Sequence, residues 1–495
     1  MKAMDVDATV LARRAKIVAA LRSIVPGEGV IEQETGRRPY ESDGLTAYRA
    51  LPMVVVLPDS VAQLRAVLAY CYAHNVKVVP RGAGTSLSGG ALPLEDGVLL
   101  SMMKFNKVKE IDFDNRFAVV EPGVTNLAIT RAVEAQGFYY APDPSSQIAC
   151  SIGGNVAENS GGVHCLKYGL TTNNVLGCEM VLMTGEVIRL GGRHLDQAGY
   201  DLLALVIGSE GMLGVVTEVT VRILRAPESA RALLIAFDSS ESAGACVAGI
   251  IAAGIIPGGM EMMDKPAIQA AEDFVHVGYP REAEALLIVE LDGPPVEVDH
   301  LVSLVEKIAL AHGVSNCRIS ASEAERHAFW AGRKAAFPAV GRLSPDYYCM
   351  DGTIPRKQLA KVLTGIRELS ERHGLRVANV FHAGDGNLHP LILYDANNPS
   401  ELLRAEEFGA DILRLCVKHG GVLTGEHGVG VEKRDLMPEM FNDIDLAQQI
   451  NVKCAFDAKQ LLNPGKVFPT LHRCAELGQM HVHGGQLRFP DIPRF

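Results

Sequence analysis

Apolar positions recur along this chain with two periods, and the switches between them outline its elements. Val10, Leu11, Ile17, Val18, Leu21 and Ile24 recur at helical spacing, closed by Pro26-Gly27. Met53–Leu57 then reads as a strand. Asp59 is expected to cap a helix with the stripe Val61, Leu64, Val67, Leu68 and Cys71. Strands are expected at Val76–Val79, Val98–Leu100, Val108–Phe113 and Ala118–Glu121, before a helix over Thr125–Gln136 that ends at Gly137. Val175–Met183 and Glu186–Leu190 form a hairpin across Thr184-Gly185, and Val215–Leu224 closes this half near Pro227. Strands and helices then alternate: Ala232–Phe237, Ser240–Ala253, Gly259–Met263, Lys265–Phe274, Ala285–Leu291 and Val296–His312. That order predicts a split βαβ, ferredoxin-like sheet with helices on one face. Helices Ser322–Ala335, Arg356–His373 and Glu401–His419 would pack around it.

A length of 495 residues calls for two or three domains. With 48% hydrophobic residues and 49 glycines, the chain is globular with many tight turns. A net charge of −11 argues against nucleic acid or an anionic membrane surface as a general partner, so an acidic substrate would need local arginines. Arg13, Arg14 and Lys16 interrupt any signal-peptide core, and the longest apolar run, Ala243–Ile256, is too short to span a bilayer. The ten cysteines include no CxxC pair, which excludes the usual cluster and zinc spacings and fits a reducing, cytoplasmic setting.

Three glycine-rich clusters punctuate the first half. Pro80–Gly90 reads PRGAGTSLSGG after a β-branched run, a loop whose N–H groups can converge on an anion. It is neither a Walker A loop, lacking Lys-Ser/Thr after its last glycine, nor a Rossmann fingerprint, having Leu87 at the third glycine position. Ser151–Gly162 follows the PDPSS segment at Pro142–Ser146, and Gly208–Gly214 comes third. The three together suggest one long ligand held along its length.

The second half carries a different chemistry. Phe381–Leu393 reads FHAGDGNLHPLIL, and Asp385-Gly386 is a type I′ hairpin signal. With those two residues as the loop, His382 and His389 become direct cross-strand partners with Cβ atoms ~5 Å apart. Two readings stand: one shared metal ion, or a hydrogen-bonded pair with no metal. Glu426-His427, flanked by Gly425 and Gly428, offers the carboxylate that a catalytic metal site commonly uses. Arg333, in FWAGRKAAF, could clamp a carboxylate or simply be a helix surface charge.

HAGDGNLH, GEHGVG and LNPGKV (Leu462–Val467), in this order behind the glycine loops, resemble the FAD-linked D-2-hydroxyacid dehydrogenases, with an FAD domain of the vanillyl-alcohol-oxidase or p-cresol-methylhydroxylase (PCMH) type. The resemblance runs from about Tyr48 to Pro469. It implies an α+β chain: an N-terminal helical segment (1–47), a two-lobed PCMH-type FAD domain (48–227), a ferredoxin-like substrate and metal domain with C-terminal helices (228–470), and a tail (471–495). FAD would contact Arg81, Gly82, Ala83, Gly84, Thr85, Ser86, Ser88, Gly89, Pro142, Asp143, Ser145, Ser151, Gly153, Gly154, Asn159, Gly161, Glu210, Val216 and Asn463. His382, His389 and Glu426 would hold a divalent metal such as zinc, His427 would be the base and Arg333 would pair with the substrate carboxylate. Where 2-hydroxyglutarate enzymes carry a lysine, this chain has Tyr347-Tyr348, which favours a small monocarboxylate. The expected reaction is oxidation of glycolate to glyoxylate, or of D-lactate to pyruvate, with hydride to flavin N5. Glycolate oxidases of this kind use an iron–sulfur subunit and a second flavin-type subunit, through which the chain would lie peripherally at the inner membrane. The tail Leu471–Phe495 is a candidate docking segment. The rivals are a metal-dependent hydrolase, which leaves the glycine clusters unexplained, and a non-catalytic subunit whose flavin no hydroxy acid reduces.

Overall fold

The computed structural model describes residues 6–195 and 199–469, together with a short pairing of Val482–His483 with Gln486–Leu487. The candidate docking tail otherwise lies outside the described residues. Three sheets carry the fold. The first orders its strands Val30–Ile31, Val54–Val56, Gly97–Ser101, Lys77–Arg81, the last three mutually parallel. Helices Arg14–Ile24 and Val61–Ala73 cover it, burying Leu64, Val67, Leu68 and Cys71 fully. The Val61 helix is capped by Ser60, whose Oγ accepts from Gln63 N, and not by Asp59. The second sheet is antiparallel, ordered Val108–Asp112, Phe117–Val120, Val215–Arg222, Val175–Val181, Val187–Gly191.

The third sheet has seven antiparallel strands: Val314–Ile319, Ser229–Phe237, Ala285–Gly293, Gly259–Asp264, Val377–His382, Asn387–Tyr394 and Asp346–Cys349. Helices cover both of its faces, not one. Leu233, Ile235 and Phe237 pack with helices Ser240–Ala252, Pro295–Ala311, Leu359–His373 and Pro399–Lys418. The intervening Ala232, Leu234 and Ala236 pack with Lys265–Val275 and Glu323–Val340. The physical reason is that these strands are apolar at successive positions, as two-sided burial requires. Each fully buried Leu or Ile there contributes ~1.5–3 kcal/mol relative to exposure.

Polar contacts lock the sheets around one cavity. His164 lies 2.9 Å from Asp143 and 3.3 Å from Glu290, and Lys167 Nζ lies 2.8 Å from Asp292. The chain finally returns to the first sheet, where Val78 N donates to Leu461 O and Asn463 N to Val78 O. Among the described residues, eight cysteines are free thiols, seven of them buried. Among the described residues, no helix is long and apolar enough to cross a membrane.

Candidate active site

Strand Lys77–Arg81 delivers the first glycine loop to the edge of the cavity. Gly84 sits at φ +75°, where a Cβ would also collide with the Arg81 guanidinium. Arg81 Nη1 in turn donates to Ser42 O at 2.7 Å. Gly82 lets this loop touch the second one, since a Cβ there would strike Ser151 Oγ. Ser151 caps helix Ile152–Glu158 by accepting from Gly154 N at 3.3 Å. Between these loops runs a cavity of about 500 Å³.

Of the residues expected around a flavin, Arg81, Gly82, Ala83, Gly84, Thr85, Ser86, Ser145, Ser151, Gly153, Gly154, Glu210 and Val216 line this cavity. Ser88, Gly89, Pro142, Asp143, Asn159, Gly161 and Asn463 are not among the residues that line it. Several of them hold the wall in place. Ser88 O accepts from Val431 N and Glu432 N. Asn463 Nδ2 donates to Gly90 O and Glu210 O, and the Glu210 carboxylate accepts from Val429 N and Gly430 N at 2.6 and 2.7 Å.

The far end of the same cavity is lined by Arg333, Lys334, Phe337, Tyr347, His382, His389, Glu426 and His427. Tyr348 instead faces the core, 3% exposed. The hairpin register differs from the expected one. His382 pairs with Asn387 and Val380 with His389, so the loop is the four residues Ala383–Gly386 and not Asp385-Gly386 alone. Asp385 Oδ1 accepting from Asn387 N, and Gly386 at φ +84°, suit this wider turn. The two histidines are therefore diagonal neighbours on one face. Diagonal neighbours still meet, and the ring centroids are 5.0 Å apart at 88°.

Glu426 Oε1 lies 3.3 Å from His382 Nε2 and 3.1 Å from His389 Nε2. Its Oε2 accepts from Gly161 N at 3.0 Å, which ties the second glycine cluster to this end. His382 Nδ1 lies 2.7 Å from Glu261 Oε1. This donor set fits a divalent ion. The three ligand atoms lie within 4.8 Å of one another, and a carboxylate behind a ligating imidazole is the usual orienting arrangement. Burial opposes ionisation of Glu426, but hydrogen bonds from His382 and His389 outweigh it and hold the carboxyl well below its ordinary range. Burial likewise disfavours charge on His382, yet the Glu261 charge raises its pKa well above normal.

His427 stacks on His389 with centroids 4.9 Å apart, its Nε2 3.9 Å from Glu426 Oε1. Its buried Nδ1 has no hydrogen-bond partner. Burial pushes this imidazole down to about 4 against the pull of Asp351, so it is neutral at neutral pH. Arg333 is 1% exposed; its Nε donates to Glu261 Oε2 at 2.8 Å, and Nη2 lies 2.7 Å from the same oxygen. Glu261 thus braces both the arginine and His382.

Two residues that organise the site were not singled out from the sequence: Glu261 and Asp351. Each is a carboxylate that is 0–1% exposed. Asp351 accepts from the backbone N–H groups of Gly425, Glu426 and His427, from Thr424 Oγ1 and from Asn387 Nδ2. One carboxylate therefore clamps the Glu426-His427 loop to the histidine hairpin. A signal existed for Glu261: a lone acid in the apolar strand GMEMM must find a buried partner.

The family model for the C-terminal domain of FAD linked oxidases matches residues 226–467, and that for an FAD binding domain matches residues 52–191. Glycolate oxidase subunit GlcD of Escherichia coli (strain K12) is 59% identical over 482 residues, covering 97% of each chain. The chain belongs to the FAD-linked oxidases. D-lactate dehydrogenase of Anaerostipes hadrus is 31% identical, covering 91% of this chain and 97% of that protein. The fold is that of p-cresol methylhydroxylase with substrate bound, at a TM-score of 0.80 and 16% identity, over 93% of this chain and 97% of that one. An FAD-linked oxidase needs a long cleft that admits a dinucleotide backbone, and the cavity lined by Gly82 and Gly84, packed so closely that a Cβ at either would strike Ser151 or Arg81, meets that need.

Proposed function

We propose that the chain oxidises a small 2-hydroxy acid, glycolate first and D-lactate second, to the 2-oxo acid. One observation carries this reading: a single cavity joins the glycine loops to His382, His389, Glu426, His427 and Arg333. His382, His389 and Glu426 would hold a divalent ion, which would supply Lewis acidity toward the substrate hydroxyl. His427 Nδ1, unpartnered in its buried setting, takes the hydroxyl proton. Arg333, fixed by Glu261, leaves Nη1 for the substrate carboxylate. Tyr347 and Phe337 close the site around a short chain, and among the described residues the cation beside Arg333 at this end is the exposed Lys334 at the rim. The bound flavin supplies the two-electron acceptor for the hydride leaving Cα.

Electrons then pass to partner subunits, one with iron–sulfur clusters and one of flavin type. The name of the Escherichia coli relative, a subunit, supports partners in general. The test is anaerobic bleaching of the purified yellow protein by glycolate, D-lactate, L-lactate and D-2-hydroxyglutarate. Fast bleaching by glycolate and D-lactate is expected. Bleaching by none, or fastest by D-2-hydroxyglutarate, overturns the assignment. Rapid turnover with oxygen alone would remove the need for partners.

A further inference from the structure

We propose a second cation site, selective for soft divalent ions, formed by Cys349, His389 and His427. Cys349 lies opposite Leu391 in the sheet, so His389, two residues along, is its diagonal neighbour on the same face. His427 reaches this face by stacking on His389. One donor atom from each of the three lies within 4.8 Å of the other two. Cys349 is 5% exposed and His389 2%.

A second observation points to a ligand. The Nδ1 atoms of both His389 and His427 are buried without any hydrogen-bond partner, although buried polar atoms are normally satisfied. His389 directs Nε2 at Glu426, 3.1 Å away, which leaves its unpartnered Nδ1 for the second cation. The sets also differ in chemistry. Two imidazoles and a carboxylate suit a borderline ion, whereas a thiolate with two imidazoles favours a softer one. Burial holds the Cys349 thiol protonated, so an ion must displace that proton to bind. When the first site is filled, the His389 ring proton leaves as well, and both protons go to the buffer. The ion enters through the main cavity, which His389 and His427 line. Once bound it occupies the His427 lone pair and so blocks the proposed base. That last step rests on the role given to His427 above; the binding itself does not.

The test uses the flavin-loaded enzyme titrated with Cd²⁺, with Cys349→Ser and Cys349→Ala as variants. Retained flavin absorbance verifies their folding. Equilibrium dialysis should find one more Cd²⁺ per chain in the wild type, with a thiolate-to-metal absorption band that both variants lack. Cd²⁺ should inhibit the wild type, and the variants should resist it by more than about tenfold. Equal Cd²⁺ stoichiometry in all three proteins, or no thiolate band, overturns the site. The extra ion and band with undiminished turnover would uphold the site and count instead against His427 as the base.

Discussion

Replacing Asp351 by Asn isolates what a single buried carboxylate does for this site. Asp351 Oδ2 serves His427 N at 2.9 Å, Gly425 N at 3.0 Å and Glu426 N at 3.2 Å, along with Thr424 Oγ1, while Oδ1 takes Asn387 Nδ2 at 2.8 Å. An amide has one acceptor atom. With its oxygen toward the loop, its NH₂ must face the Asn387 NH₂ group, donor against donor. The charge matters as well. Lys433 Nζ, fully buried, lies 3.4 Å from Asp351 Oδ2 and 3.4 Å from Glu432 Oε2. Burial opposes the Asp351 charge, but His427 and Lys433 more than offset that and keep its pKa well below normal. Removing one partner of such a buried pair costs about 3–5 kcal/mol, a large part of a typical total of about 5–15 kcal/mol. A loop displaced by about 1 Å would also cost ~10²-fold in rate. The assay is urea unfolding, metal content and stopped-flow flavin reduction of Asp351→Asn, followed by the same on Asp351→Asn with Lys433→Met. The double variant should recover more than half of the lost stability, because no uncompensated charge remains, while reduction stays slow. A single variant within about 1 kcal/mol of wild type that reduces its flavin normally would refute this account of the loop.

Gly84→Val should lose FAD, because φ +75° and the Arg81 guanidinium leave no room for a branched side chain; full flavin content in that variant would exclude this loop from the cofactor site. His427→Ala should retain FAD and metal but slow flavin reduction by about 10²–10⁴, leaving reoxidation unchanged; reduction at the wild-type rate would move suspicion to Tyr347. His382→Asn should lower metal content and turnover together with FAD in place, and unaltered metal analysis would break the link between them. Burial raises Glu432 to about 7 despite Lys433, so the folded state prefers the protonated acid. That contribution, roughly 3 kcal/mol at most, is fully present below the ordinary carboxyl pKa and lost as pH rises toward 7; Glu432→Gln should flatten the stability curve between about pH 4.5 and 7, and an unchanged slope would contradict it.

The elements most legible in the sequence were those whose residues answer to a local rule. The stripe Leu64, Val67, Leu68 and Cys71 is buried as the helical period predicts, and Gly137 ends its helix at φ +74°. The histidine pair was legible in outcome but not in register. Asp-Gly favours a two-residue turn, yet the Asp385 side chain and the neighbouring Gly384 and Gly386 stabilise a wider one, as Arg356 Nε donating to Gly384 O reflects. Two-sided burial of the large sheet was hidden because a strand apolar at every position does not say which helices will cover each side. Glu261 and Asp351 were illegible as a group. Their partners lie 72 and 121 residues away for Glu261 and 73–76 residues away for the Asp351 loop contacts, and only the folded chain brings them together.

The return of the chain to the first sheet has a consequence for how this protein is made. Strand Lys77–Arg81 is the last in its sheet, and its outer edge is closed by Leu461–Asn463. Until those residues leave the ribosome, the strand that delivers the glycine loop presents an unpaired edge in an apolar sequence, the kind of surface that recruits other chains. Asn463, which ties Gly90 to Glu210, is missing from the cavity wall during the same interval. Synthesis through Asn463 must therefore precede cofactor capture. A chain arrested before residue 460 will bind little flavin and aggregate more readily than its full-length counterpart, which ribosome-release experiments with defined truncations can measure.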